Sequence, residues 1–244
     1  MSDFSQKVLQ NFIDMFFSPH IEKLQKQGKL PKPFLVSMAQ IVFYPDGKPN
    51  EIRLNEEVKV KVITSDGKDA WLNQETQESN ISRLNLDPED DPNAGHVTMI
   101  NTGNGSWFGS FDFLYNKDKA IQHLNAADEF ISGAEYALNQ KYWRLFSDCM
   151  FSAKELISRS YLLLSPDEKY TKKGSHSVTH SRINMQSKLG NIPQKYIQIF
   201  NKFRNLRDSA RYLNGDFQFE DKEALEYLEA AKEYHAMIND KMHS

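Results

Sequence analysis

The chain of 244 residues has one cysteine, Cys149, no long apolar run and no excess of positive charge. A lone cysteine excludes an intrachain disulfide and favours a reducing compartment. No stretch approaches the roughly 18–20 apolar residues of a membrane span, so we predict no membrane partner. The first residues lack the basic and apolar blocks of a signal peptide, and we expect a cytoplasmic protein. The formal net charge of −3 restricts any nucleic-acid surface to a local patch.

Motifs for common metal and nucleotide chemistry are scarce. Residues 103–105 read Gly-Asn-Gly but lack the ending of a phosphate loop, which favours a hairpin turn. The acidic run at residues 87–91 lacks EF-hand spacing and is predicted to be a solvated loop. His176 and His180 are four residues apart, but no third ligand lies nearby in the sequence. We therefore predict no bound metal and no cofactor.

Residues 1–116 are predicted to form an N-terminal helix and a small β-domain. Apolar side chains recur at helical spacing as far as about residue 27, where a proline-containing segment follows. Residues 34–115 contain alternating apolar runs that are separated by Asp-Gly and Gly-Asn-Gly turns. This pattern predicts a mostly antiparallel sheet of about four to six strands.

Residues 117–244 carry helical periodicity and are predicted to form an antiparallel helical bundle, so the whole chain belongs to the α+β class. The predicted helices span residues 117–138, 141–164, 180–189, 193–213 and 220–242. The polar segment 167–179 is predicted to be a loop. Some apolar side chains are additional to those that fill one face of a bundle helix. Their surplus apolar surface favours a homodimer through residues 117–244. They are Phe146, Met150, Tyr161 and Leu162.

The segment 204–212 concentrates arginines on one helix. At about 100° per residue, one side of this helix is apolar. That side carries Tyr196, Ile199, Phe203, Leu206, Ala210 and Leu213. Arg204, Asp208 and Arg211 lie opposite, and Arg207 lies at the border, where its guanidinium is half-buried and needs an anionic or hydrogen-bonding partner. The alternative is an ordinary amphipathic helix with a solvated basic face.

The order and spacing of the helices over residues 118–240 resemble a HEPN domain, a helical family of prokaryotic nuclease and nucleotide-binding modules. The segments that carry the resemblance are residues 134–138, 141–142, 151–159, 180, 207–212 and 220–234. Active HEPN domains carry an arginine and, after four to six intervening residues, a histidine on the third main helix. Two protomers then build one metal-independent ribonuclease site, where arginine stabilises the phosphate and histidine assists attack by the ribose 2′-hydroxyl. Nothing comparable is found in residues 1–116.

The resemblance places the family's arginine at Arg207, followed by the polar Asp208, and the family's histidine position at Tyr212. A second register, which starts at Arg204, puts Ser209 there. Neither register supplies a histidine. A tyrosine with a pKa near 10 is a poor general base at neutral pH, although arginine neighbours lower that pKa.

Residues outside the arginine helix could support such a site. His180 or His176 could enter from the preceding loop. Glu155 could pair with Arg159 one turn along its own helix, or it could face Arg207 across the bundle.

Two hypotheses remain open. In the first, the helix binds RNA or nucleotide phosphate through Arg204, Arg207 and Arg211, with metal-independent ribonuclease activity through Arg207 and Tyr212. The resemblance then implies a toxin or phage-defence effector. In the second, the chain is a non-catalytic dimeric module whose β-domain binds a protein or a small ligand. The arginine cluster favours the first hypothesis, and the missing histidine favours the second.

Overall fold

In the computed structural model, the chain divides into two compact units, residues 1–115 and 116–244. The structure describes residues 3–45, 47–65, 68–71, 81–101, 107–165, 176–212 and 217–243, without the side chains of residues 3–6, 69–71, 208 and 243. The first unit holds an N-terminal helical stretch and the antiparallel sheets, and the described part of the second unit is mainly helical. The predicted α+β class is therefore confirmed.

The first unit begins with a continuous helical stretch. Helix α1 (Asp3–Phe12) leads through a π-helical turn (Ile13–Phe17) into α2 (Ser18–Lys26). Leu9 and Phe17 are its buried anchors. Their spacing follows the apolar periodicity in the sequence, which places one face of the stretch against a sheet.

Seven strands are present in the described residues, more than the four to six that the sequence predicts. They are β1 (Met38–Phe43), β2 (Glu51–Leu54), β3 (Val60–Thr64), β4 (Asp69–Trp71), β5 (Ile81–Leu86), β6 (Gly95–Asn101) and β7 (Trp107–Asp112). One sheet has the order β2-β1-β6-β7 and the other β4-β3-β5, with antiparallel pairing throughout. Strands as short as β2 and β4 show too little alternation to be recognised from sequence. The predicted turns at residues 66–67 and 103–105 lie outside the described residues.

The four-stranded sheet packs on both faces because successive strand residues point to opposite sides. On one face, Ile41 and Met99 pack with Leu9 and Phe17 of the helical stretch. On the other face, Ile100 joins an apolar cluster built from the three-stranded sheet. The first unit is thus a three-layer arrangement of helix, sheet and sheet.

A buried polar network lies on the face toward the three-stranded sheet. Arg53 donates two hydrogen bonds to Asp90, at 2.7 and 2.8 Å, and one each to Glu51 and Gln40. Gln40 in turn donates to Thr98 across the strand pair. The prediction that residues 87–91 form a solvated loop is therefore wrong at Asp90, whose carboxylate is needed to balance the buried guanidinium.

The second unit contains five helices among its described residues. They are α3 (Lys117–Asn139), α4 (Trp143–Leu163), α5 (His176–Lys188), α6 (Gln194–Tyr212) and α7 (Asp221–His243). Four of them match the predicted helices to within about two residues at each end. Helix α5 starts at His176, four residues earlier than predicted, because its first turn is polar and carries no apolar period. His176 is therefore helical, and the loop prediction for residues 176–179 is wrong.

The apolar residues that motivated a homodimer lie inside the second unit. Phe146 and Met150 are fully buried and Leu162 is nearly so, while Tyr161 is partly buried. The Phe146 ring packs against Phe203, with 5.8 Å between ring centres. Of these four side chains, three are buried within the unit, so they do not supply the excess apolar surface from which the homodimer was predicted. Of the helices in the described residues, none is both long and apolar enough to cross a membrane.

Candidate functional site

The candidate site lies where α4, α5 and α6 meet. Two helices carry matching side chains at the spacing i, i+3 and i+7. These are Asp148, Phe151 and Glu155 on α4, and Arg204, Arg207 and Arg211 on α6. Contacts join residue 148 to 211 and residue 151 to 207, so α4 and α6 are antiparallel. Helix α5 adds His176 and His180, one turn apart on one face.

Arg211 forms an ion pair with Asp148. Its Nε and one terminal nitrogen donate to the two carboxylate oxygens at 2.7 and 3.1 Å. This bidentate pairing raises the pKa of Arg211 above its ordinary value. Next to it, Arg144 donates to the carbonyl oxygens of Ser209 and Ala210 near the end of α6. Arg211 is thus the one member of the arginine cluster that has an acidic partner within the described residues.

Arg207 lies against an aromatic ring. Its guanidinium carbon is 4.5 Å from the centre of the Phe151 ring, a distance typical of a cation–π contact. The side chain is partly buried, as the helical pattern predicts, and its Nε is buried without a hydrogen-bond acceptor among the described residues. A buried guanidinium N–H without an acceptor is rare in folded proteins. The ring shields the cation and holds it in place, but it gives the Nε–H group no hydrogen-bond acceptor.

Glu155 is buried and accepts a hydrogen bond from Nδ1 of His176. Both partners that the sequence suggested for this carboxylate, Arg159 and Arg207, are therefore wrong within the described residues. The reason is that α5 starts at His176, which places the imidazole of this residue next to the Glu155 carboxylate. A carboxylate at Nδ1 fixes the ring orientation and leaves Nε2 for exchange of a proton. The ring also packs against Phe151, with 6.2 Å between ring centres.

His180 contacts two residues of α6. Its Nε2 lies 2.5 Å from Oδ1 of Asn201, and its Nδ1 lies 3.2 Å from a terminal nitrogen of Arg204. Burial and, to a smaller extent, the Arg204 charge lower the pKa of His180, while the bond to Asn201 opposes this shift. The ring packs on Phe200. His180 is therefore held as a neutral imidazole at neutral pH.

The structure brings together five of the residues that the sequence singled out: Glu155, His176, His180, Arg204 and Arg207. We call these five residues the α4–α6 site. Arg204 and Arg207 have no acidic partner among the described side chains and can hold an anion with several oxygens, while the two imidazoles can accept and donate protons. No group of three His, Cys, Asp or Glu side chains suited to a metal ion is found in the described part of the chain.

Tyr212, a predicted site residue, lies apart from this group. Tyr212 is 71% exposed at the end of α6, and no hydrogen bond joins it to Arg207 within the described residues. The side chain of Asp208 lies outside the described residues. Sequence reasoning missed Phe151 and Asn201 as site residues. Two features of the sequence could have identified them. Phe151 lies one turn before Glu155 on the same helix face, and Asn201 lies one turn before Arg204.

Comparison with models of protein families, with curated proteins and with solved structures finds no match for this chain.

Proposed function

We propose that the α4–α6 site binds the phosphate backbone of RNA and cleaves it without a metal ion. The observation that carries this proposal is Arg207, whose guanidinium is fixed on Phe151 with a buried Nε that lacks an acceptor. The terminal nitrogens of this guanidinium are not among the buried unpaired atoms, so a phosphate would bind there, and the planar guanidinium suits phosphate geometry.

The local charge favours an anion although the chain as a whole is slightly acidic. Among the described residues, Arg204 contacts a neutral imidazole and Arg207 contacts an aromatic ring. No carboxylate among the described side chains compensates either charge, in contrast to Arg211 with Asp148. A phosphodiester would compensate the first two charges and would be attracted by an exposed Arg204.

The two histidines supply the proton transfers that RNA cleavage requires. One imidazole removes the proton of the ribose 2′-hydroxyl, whose oxygen then forms a bond to phosphorus. The bond between phosphorus and the 5′-oxygen breaks, and the 5′-oxygen takes a proton from the other imidazole. The products are a 2′,3′-cyclic phosphate and a 5′-hydroxyl. Arg207 stabilises the negative charge that develops on the phosphate oxygens.

The resemblance to HEPN domains supports the same proposal. It implies an arginine on the third main helix as the phosphate ligand, which corresponds to Arg207 on α6. The family's histidine position holds Tyr212, so in this chain the histidine function passes to α5. A homodimer and a role as a toxin or phage-defence effector are further implications of the resemblance. They stay predictions, and light scattering of the purified chain tests the first.

Cleavage of RNA in EDTA tests the proposal. We expect the wild-type chain to convert a defined oligoribonucleotide into fragments with 2′,3′-cyclic phosphate ends, and to leave the corresponding oligodeoxyribonucleotide intact. Arg207→Ala should reduce the rate at least 100-fold, since it removes a charge at the transition state. Lys222→Ala, which removes an exposed charge from α7, is the matched control and should retain the full rate.

A second candidate function, a non-catalytic interaction module, is favoured by an aromatic cluster in the first unit. Phe12, Phe16, Phe43, Phe111 and Phe113 contact one another with ring centres 5.2–6.4 Å apart. Phe111 and Phe113 remain 39% and 47% exposed. This alternative predicts a dimer through the helical half that Phe113→Asp leaves intact, ligand binding by the β-domain that Phe113→Asp weakens, and RNA binding that is equally weak in the wild-type and Arg207→Ala chains.

A further inference from the structure

A closed chain of amide hydrogen bonds connects two atoms of His180. The side-chain nitrogen of Asn184 donates to the carbonyl oxygen of His180 at 2.7 Å. The side-chain nitrogen of Asn201 donates to Oδ1 of Asn184 at 3.0 Å. Oδ1 of Asn201 then lies 2.5 Å from Nε2 of the same His180. The chain starts at a backbone carbonyl and ends at the imidazole.

The start of this chain fixes the direction of every bond in it. A backbone carbonyl oxygen can only accept, so the amide group of Asn184 that faces it is the NH₂. The oxygen of Asn184 must then accept from the NH₂ of Asn201. This leaves the oxygen of Asn201 toward His180, where it can only accept. Nε2 of His180 therefore carries a proton, and Nδ1 carries the lone pair when the ring is neutral.

We infer that Asn184 and Asn201 are positioning residues that hold His180 as its Nε2–H tautomer and thereby make Nδ1 the general base for the 2′-hydroxyl of RNA. This inference rests on the proposed function. His176 is then the acid: its Nδ1–H is engaged by Glu155, and its protonated Nε2 gives the proton to the leaving 5′-oxygen. The proton taken up at Nδ1 of His180 balances the proton that His176 gives away.

Arg204 lies over the imidazole of His180 in the absence of a substrate. Its terminal nitrogen lies 3.2 Å from Nδ1 and 3.5 Å from Nε2, and these similar distances place it above the ring face, which leaves the in-plane lone pair of Nδ1 open. The Arg204 side chain is exposed, and a phosphate competes for it far more strongly than a neutral imidazole does. A phosphate bound by Arg204 would therefore lie next to the His180 ring, with its neighbouring 2′-hydroxyl close to Nδ1.

Few charged groups within the described residues act on this base. Arg204 of α6 faces the ring directly. His176 lies one turn earlier on α5, and Glu155 of α4 is bonded to it. The amides of Asn184 and Asn201 are neutral at every pH. The protonation of His180 therefore reports on Arg204, on the neighbouring Glu155–His176 pair and on a bound phosphate.

Nitrogen-15 NMR of the wild-type chain tests the tautomer without any substrate. We expect the side-chain shifts of His180 at pH 7.5 to show a protonated Nε2 and an unprotonated Nδ1. A protonated Nδ1 with an unprotonated Nε2 would overturn the inference, because the base would then face Asn201. This measurement needs no variant and is not affected by a loss of folding.

An amide-to-carboxylate exchange tests the positioning role. Asn201→Asp retains an acceptor for Nε2–H but adds a negative charge, so the pKa of His180 should rise by about one unit or more. The acidic limb of the pH–rate profile for RNA cleavage should move to higher pH by the same amount. Asn205→Asp, the same change at an exposed site one turn along α6, should move neither value by more than a few tenths of a unit. Equal shifts in the two variants would overturn the positioning role.

The outcomes separate this inference from the proposed function. RNA cleavage by a chain whose His180 is protonated at Nδ1 would overturn the inference and leave the proposed function standing. An Nε2–H tautomer in a chain that cleaves no RNA would overturn the proposed function and the base role together, leaving only the amide chain as a structural element. Cleavage combined with the Nε2–H tautomer and a selective effect of Asn201→Asp supports both.

Discussion

The guanidinium carbon of Arg207 on α6 lies 4.5 Å from the centre of the Phe151 ring on α4. The same ring contacts His176 and Phe200, so it forms the floor of the α4–α6 site. The ring thereby fixes the arginine, and no carboxylate in the described part of the chain neutralises it. This relationship distinguishes Arg207 from Arg211, and the first prediction follows from it.

Phe151→Leu should weaken RNA binding by about 0.5–2 kcal/mol, because leucine fills the space but supplies no cation–π contact. Phe203→Leu is the matched control, since Phe203 is equally buried but packs in the core with Phe146. Both variants should lose about 1–3 kcal/mol of folding stability in urea titrations. Fluorescence anisotropy with a labelled RNA measures the binding. Equal affinities of the two variants would contradict the role of the ring.

Tyr212→Phe should change folding stability by less than about 0.5 kcal/mol, because the side chain is 71% exposed. If Tyr212 nevertheless acts at the position of the family's histidine, its hydroxyl contributes about 0.5–1.5 kcal/mol to phosphate binding. Tyr212→His then restores the family's pattern and should raise the cleavage rate. We expect Tyr212→Phe to cleave within about twofold of the wild-type rate, since the α4–α6 site already holds two histidines. A folded Tyr212→Phe chain that no longer cleaves RNA would contradict this prediction and would indicate that Tyr212 is catalytic.

The two halves of the α4–α6 site differ in how far the sequence predicts them. The arginine face of α6 follows from the periodicity of one helix, because the angle between two residues depends only on their separation. The same periodicity predicts that Arg207 lies at the edge of the apolar stripe and is half-buried. The pairing of Glu155 with His176 depends on how α5 packs against α4, and these residues are 21 positions apart. No local pattern contains that information.

The secondary structure likewise divides into elements that local periodicity predicts and elements that depend on distant residues. Long amphipathic helices such as α3 and α7 are predicted nearly to their ends, since many turns repeat one apolar stripe. The three-residue strand β4 and the polar first turn of α5 are too short or too polar to produce a period. Their structure comes from partners that are distant in sequence. The burial of Asp90 likewise depends on Arg53, 37 residues earlier.

Lys154→Met should stabilise the second unit, and this gain should shrink as the pH rises. Lys154 is fully buried, with Nζ 5.6 Å from the ring centres of Tyr196 and Tyr234, and burial lowers its pKa to about 7. Glu233 raises this pKa slightly and Lys195 lowers it.

The sign of this pH dependence follows from proton counts. An unfolded lysine has a pKa of about 10.4, so between about pH 7 and pH 10 the unfolded chain binds more protons than the folded chain. Stability due to Lys154 therefore rises with pH across this window, and the methionine variant lacks this rise. Urea unfolding at pH 7 and pH 9.5 measures it, with Lys222→Met as the exposed control. A gain for Lys154→Met that is the same at both pH values would contradict the prediction.

Asp90→Ala should destabilise the first unit by about 3–5 kcal/mol. The carboxylate and the Arg53 guanidinium are both only about one-tenth exposed, and removal of one partner leaves the other charge buried. Glu89→Ala removes the neighbouring carboxylate, which is 81% exposed, and should cost less than about 0.5 kcal/mol. Thermal unfolding followed by circular dichroism compares the two. Similar losses in both variants would show that the buried pair contributes no more than a surface pair.

Binding of a 2′-O-methyl RNA oligonucleotide tests the central claim most directly, because this RNA keeps its phosphates but cannot react. Fluorescence anisotropy at several salt concentrations should show that Arg207→Ala weakens binding at least tenfold, about 1.4 kcal/mol, while Lys222→Ala retains wild-type affinity. The slope of log affinity against log salt should become shallower by about one for Arg207→Ala, as expected for one lost phosphate contact. No binding by the wild-type chain at low salt, or equal binding by Arg207→Ala, would contradict the assignment of the α4–α6 site as an RNA phosphate site.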